Sequence, residues 1–143
     1  MAKVAKKESK WRIAAASVGG FAAFLVLAMA ANWILGFVDP EVRTARETPT
    51  YYYIVVTVFY ALSAFVGGYW CAKIALTAHR QAALGMICVG ELLVVFTAVS
   101  FWALMPHFAL ITLLIAYPGM VWIGAQFRVK RHPVKPLMVR AAA

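Results

Sequence analysis

The stretch MICVGELLVVFTAV, Met86–Val99, is apolar at every position except Glu91 and Thr97. Its apolar neighbours extend it to Ala82–Met105, long enough to cross a hydrocarbon core, which takes about 20 helical residues. A strand of that length and continuity is not expected, because strands usually run to about 5–6 residues. In lipid a helix satisfies its own backbone, and an open sheet does not. Three more runs match it: Ile13 to Val38, Tyr51 to Leu76, and Phe108 to Phe127. The sequence therefore predicts an all-α, membrane-embedded, antiparallel four-helix bundle. Its domain is 13–127, with spans at 13–38, 51–76, 82–105 and 108–127. A basic segment precedes it at 1–12 and a basic tail follows at 128–143.

Composition agrees. The 143 residues are 64% hydrophobic and 13% charged, against about 45–50% and 25% in a soluble domain. The mean hydropathy is +0.81. Net charge is +9, from 14 Lys+Arg against 5 Asp+Glu. The cations flank apolar runs and form no basic stripe with interleaved aromatics, so nucleic acid is not an expected partner. Lys6, Lys7, Lys10, Arg12, Arg128, Lys130 and Arg131 are read as contacts to anionic lipid headgroups.

The same cations set orientation. Lys and Arg crowd both ends, and Lys73 and Arg80 flank the junction of spans two and three. The loop DPEVRTARETPT offsets Arg43 and Arg46 with Asp39, Glu41 and Glu47, and the turn MPHF has no Lys or Arg. The positive-inside rule then puts both termini and the middle turn in the cytoplasm. Trp33, Trp102 and the TYYY run stand near outer ends, and Trp11, Trp70 and Trp122 near inner ends, as expected for rings that favour the headgroup level. Ala28-Met29-Ala30 resembles a signal-peptidase site, but the apolar run continues through NWILGFV, which suits a retained anchor.

Small residues recur at four-residue spacing. Ala15, Gly19 and Ala23 do so in span one, and Ala64, Gly68 and Ala72 in span two. Such stripes let helices approach closely, and are assigned to packing within the bundle. Cys71 and Cys88 lack CxxC spacing or a neighbouring His and are read as packing residues, so no metal is expected.

Glu91 stands about ten residues into span three, roughly 15 Å deep. A charge at a span centre costs about 2.5–3.5 kcal/mol on the insertion scale, which the surrounding Leu, Ile, Val and Phe roughly offset. Ionisation in dry hydrocarbon costs more than protonation at neutral pH. A sealed Glu91 is therefore expected to keep its proton, and a wet cavity or cationic ligand reverses that. At similar depth stand Ser63, Tyr60, Tyr117 and Pro118. Pro118 frees the carbonyl of Leu114 and is expected to kink its helix. A protonated Glu91 has that carbonyl, Ser63 and Tyr117 as expected acceptors. Two readings stay open. Glu91 is a hydrogen-bonding pin that fixes register, or it binds a proton or cation in transport.

No HExxH, GxSxG or P-loop occurs, and Glu91 has no nearby second carboxylate. His79, His107 and His132 do not face one another within spans, which disfavours haem. Neither catalysis nor a cofactor is expected. A membrane enzyme or quinone-site subunit is the third reading.

The segment GGYWCAKIALTAHRQAALG, Gly67 to Gly85, resembles a pattern in small, uncharacterised four-helix integral membrane proteins of bacteria. There a Gly-Gly-Tyr near the inner end of helix two leads through a small-residue run and a basic turn into helix three. The resemblance covers only that junction. It implies a bacterial inner membrane and no particular activity. The chain is also similar to small multidrug-resistance transporters in having four short helices and one membrane carboxylate. It departs from them in carrying the Glu in the third helix, where theirs is in the first. The expectation is a non-enzymatic structural or accessory membrane protein that packs with itself, as a homo-oligomer, or with a larger membrane complex. The alternative is an oligomeric proton-coupled or small-cation transporter using Glu91.

Overall fold

The computed structural model describes residues 10–38, 40, 49–102 and 106–131. Lys6 and Lys7, the acids and bases of the first loop, and 132–143 lie outside the described residues. Four helices carry the fold: α1 Lys10–Val38, α2 Thr50–Ala75, α3 His79–Phe101 and α4 His107–Arg131. All four are long and apolar enough to cross a membrane, with mean hydropathy of 1.7–2.2 in their most apolar windows. The bundle buries only 22–33% of those windows. Most of each span thus turns apolar side chains outward. Leu92, Phe96 and Val99 on α3, and Val26, Met29, Trp33 and Phe37 on α1, are exposed. In water such a surface would aggregate, whereas in lipid it is the solvated face.

The helices overrun the apolar stretches. α1 starts at Lys10 and α4 runs on to Arg131, so Lys10, Arg12, Arg128, Lys130 and Arg131 stand on helix ends. A helix need not stop where hydrocarbon does, and long cationic side chains can snorkel to the interface. Lys73 Nζ lies 4.4 Å from the Trp70 ring centroid, and the Arg131 guanidinium 5.0 Å from that of Phe127. Pro49 precedes α2, accepting a 3.1 Å bond from the Tyr52 N–H. α2 ends at Ala75, and the next residue, Leu76, has a positive φ of 52°, uncommon for a residue other than glycine. One 3-10 turn, Leu76–Ala78, leads straight into α3. At the other end of α3 the Trp102 and His107 rings stack at 4.4 Å and tie its end to the start of α4.

α2 is the centre of the bundle and packs against each of the other helices. Gly67 and Gly68 make this possible. Neighbours on a helix differ by about 100°, so the two face different partners. A Cβ on Gly67 would stand 2.8 Å from the Gly20 carbonyl oxygen, and one on Gly20 would stand 2.8 Å from that of Gly67. A Cβ on Gly68 would strike the Val121 backbone, and one on Gly124 the Phe65 backbone. α1 and α4 are therefore held to α2 backbone against backbone.

The small-residue stripes divide accordingly. Ala64, Gly68 and Ala72 are all buried. On α1 the buried line is Ala16, Gly20, Phe24 and Ala28. Ala15 is exposed, while Gly19 and Ala23 are half-buried beside that line. α1 is rotated by one residue from the Ala15, Gly19, Ala23 register because Gly20, not Gly19, meets Gly67. Ser17 fixes the same rotation, donating at 2.9 Å to the Ala82 carbonyl of α3 and at 3.0 Å to Ile13 of its own helix.

Gly68→Ala should therefore destabilise by about 1–3 kcal/mol, since backbone cannot yield to the new methyl. Gly119→Ala, which meets nothing within 4 Å, should be neutral or stabilise by about 0.4–1 kcal/mol. Thermal unfolding of both variants in one detergent checks the pair.

Candidate functional site

Two polar clusters stand inside the helical layer. The first is built around Tyr117, which is wholly buried. Its hydroxyl donates at 3.1 Å to the Met86 carbonyl of α3. Met86 keeps its own helical turn, so the tyrosine cross-links α4 to α3. Space for the ring comes from Gly90, where a Cβ would overlap the Tyr117 hydroxyl and ring. Phe24 of α1 packs edge-on against the ring, centroids 5.2 Å apart. α4 continues through Pro118 without interruption of its helix.

Glu91 flanks this cluster. Ala83, Ile87 and Glu91 climb one side of α3 at four-residue steps. Ala83 packs with Ala72 and Ala125, and Ile87 against the main core. Glu91 continues that line and is half-buried. The Tyr117 ring lies over Gly90, the residue before Glu91 in the chain, and the Tyr117 hydroxyl gives its proton to Met86. Carboxyl oxygen Oε1 of Glu91 is closed off from solvent and has no hydrogen-bond partner among the described residues. His79 Nδ1, at the α2–α3 turn, is the other buried side-chain atom in that condition.

Of the residues matched by depth in the sequence, Tyr117 reaches Gly90 beside Glu91 and Pro118 follows it within α4, while Ser63 and Tyr60 are engaged elsewhere. Ser63 donates at 2.8 Å to Phe59 of its own helix and lines a cavity of about 290 Å³ with Leu27 and Ala31 of α1. Tyr60 belongs to the second cluster.

That cluster is centred on Asn32, which depth-matching at the span centres missed because it lies six residues from the end of α1. Asn32 Nδ2 donates at 2.7 Å to the Tyr60 hydroxyl of α2 and at 3.0 Å to the Ala28 carbonyl. A cavity lies on each side of this pair. One, about 190 Å³, is walled by Phe24, Leu25, Met29, Leu93 and Thr97 among others. The second, about 200 Å³, is walled by Tyr52, Tyr53, Thr57, Ala109 and Leu110 among others. Asn32, Tyr60 and Leu113 belong to both walls. The signal that would have found this site is an amide inside an apolar span, whatever its depth, because an amide in lipid needs a partner.

The cysteines are unpaired, Cys71 buried beside Gly20 and Cys88 exposed. Among the described residues no three His, Cys, Asp or Glu come together as metal ligands. No protein-family model, no curated protein and no solved structure matches the chain.

Gly90→Ala should lower thermal stability in detergent more than Tyr117→Phe. The latter removes one intramembrane hydrogen bond, worth about 0.6 kcal/mol on average; the former forces the tyrosine ring out of the core. The double variant Gly90→Ala/Tyr117→Leu should recover part of the loss, and a double-mutant cycle measures that coupling.

Proposed function

We propose that this chain is a small, non-enzymatic integral membrane protein, structural or accessory in role, that packs with itself or within a larger membrane complex. It is an antiparallel four-helix bundle with both termini and the α2–α3 turn in the cytoplasm. Its membrane is a bacterial inner membrane, as the resemblance of Gly67 to Gly85 implies. The inner-end cations hold anionic lipid headgroups. The four apolar helices and the basic residues at Lys10, Arg12, Lys73, Arg80 and Arg128–Arg131 support this placement.

The observation that carries the role is the Glu91 carboxyl. One of its oxygens is buried and unpartnered within the described residues, on a half-exposed residue at the edge of α3. Oε1 is enclosed by the chain's own atoms, so a partner meets the part of Glu91 that stays exposed; lipid tails offer it no hydrogen bond, and a polar group on a helix of a neighbouring chain does. The lipid-facing apolar surface of α3 around it gives that neighbour a seat. The transport reading draws on the same residue but requires water at the carboxyl, and neither of the Asn32 cavities is lined by Glu91.

Replacement tells the two apart. Glu91→Gln, which still hydrogen-bonds, should preserve the oligomer or complex recovered in mild detergent, and Glu91→Leu should weaken it several-fold by size-exclusion chromatography. Proton or cation flux into reconstituted vesicles that disappears in Glu91→Gln would establish the transporter instead.

Orientation has its own test. In a cysteine-free background, a cysteine at Arg80 should resist a membrane-impermeant maleimide in intact cells, and one at Thr50 should react. The reverse pattern overturns the assigned topology.

A further inference from the structure

We infer that the paired cavities around Asn32 and Tyr60 form a binding site for a neutral, ring-headed membrane lipid bearing a hydroxyl, of the phenol class. This site lies apart from Glu91 and does not depend on its role.

Three observations define the ligand. The first is the unspent hydrogen-bonding capacity of the pair. The two hydrogen bonds that Asn32 makes among the described residues use the amide nitrogen, so Oδ1 takes part in neither. Tyr60 accepts from Asn32, and that bond leaves its own proton free to be given. An acceptor and a donor thus stand side by side. One hydroxyl satisfies both, donating to Asn32 Oδ1 and accepting from Tyr60.

The second is charge. Among the described residues, no Asp, Glu, Lys, Arg or His lines either cavity. An ionic head would enter without a counter-charge, which an apolar site penalises heavily. The head must be neutral.

The third is shape and access. Phe24 and Tyr60 stand edge to face at 6.4 Å on one side of the pair, and Tyr52 and Tyr53 at 6.2 Å on the other. Aromatic walls favour a ring over a bare chain. Each lobe alone, near 190–200 Å³, is below the range of about 300–1,000 Å³ usual for a drug-sized guest; a head in one lobe and the start of a tail in the other need both. The tail has an exit. Met29 and Leu93 line the first lobe and are 63% and 42% exposed, so that lobe opens between α1 and α3 towards the lipid from which the ligand would come.

The experiment is isothermal titration calorimetry of the full chain in detergent micelles with three probes: 4-decylphenol, its methyl ether 4-decylanisole, and 1-hexadecanol. The phenol should bind at least ten-fold tighter than the ether, because a site with an unfilled donor and acceptor rejects the analogue that cannot serve both. It should also outbind the chain alcohol. Asn32→Leu should erase the preference for phenol over ether. Leu113→Trp, which fills space in both lobes and leaves the Asn32–Tyr60 bond alone, should weaken both ring probes ten-fold or more. Equal binding of phenol and ether by the unaltered chain would falsify the site, as simple micelle partition. Tighter binding of hexadecanol than of the phenol would overturn the ring assignment. Neither of these two readouts depends on the folding of a variant.

Discussion

Everything in this bundle depends on how closely α2 is approached. Gly67 and Gly68 are adjacent in sequence and so point about 100° apart around the helix. One admits the backbone of α1 at Gly20, the other the backbone of α4 at Val121, and Gly124 returns the second contact at Phe65. Within lipid, tails are as apolar as leucine, so burial alone gives helices little reason to meet. Association rests on dispersion between close surfaces and on a few hydrogen bonds. Removing the side chain at the crossing point is what brings enough atoms into range. The core is correspondingly fine-grained: alanines, a cysteine and glycines, with Phe24, Met86, Val94, Leu110, Tyr117 and Val121 as its larger members.

That economy explains where the polar groups go. With α1 and α4 held by backbone contacts to α2, α3 is joined through side chains. Ser17 donates to Ala82 near the α2–α3 turn, and Tyr117 donates to Met86 where Gly90 gives way to the ring. Both acceptors are carbonyls already inside a helix, which retain a second lone pair. Farther along, the side chains between α1, α3 and α4 no longer close the space, and the two cavities remain beside Asn32 and Tyr60. Glu91 lies on the other side of α3 from Leu93, at the margin of the packed surface. The two sites therefore stand in different places: one lies between the helices around Asn32 and Tyr60, and the other lies at the edge of α3 on a half-buried residue.

Four helices long and apolar enough to cross a membrane were legible in the sequence, because a bilayer demands about 20 apolar residues per helix and punishes any interruption. The stripe Ala64, Gly68 and Ala72 was legible too, and all three are buried. The α1 register was not. Nearly every residue from Ala14 to Ala23 is small, so two neighbouring registers satisfy the same four-residue period. Spacing cannot choose between Gly19 and Gly20. The grouping of Glu91 with Ser63 and Tyr60 rested on equal depth, and depth says nothing about azimuth. Ser63 turns to the α1–α2 seam, and Tyr60 to Asn32.

By itself, then, the sequence determined that four apolar helices form and that one carboxylate sits deep within the third, since hydropathy and length are properties of a chain read in one dimension. Only the tertiary structure decided which face each helix turns inward, that Tyr117 gives its proton to Met86 while Glu91 Oε1 has no partner among the described residues, and that Asn32 meets Tyr60 between two cavities. Those outcomes depend on rotation about the helix axes. That rotation is set by which backbones can touch, and the touching surfaces come from segments far apart in the chain.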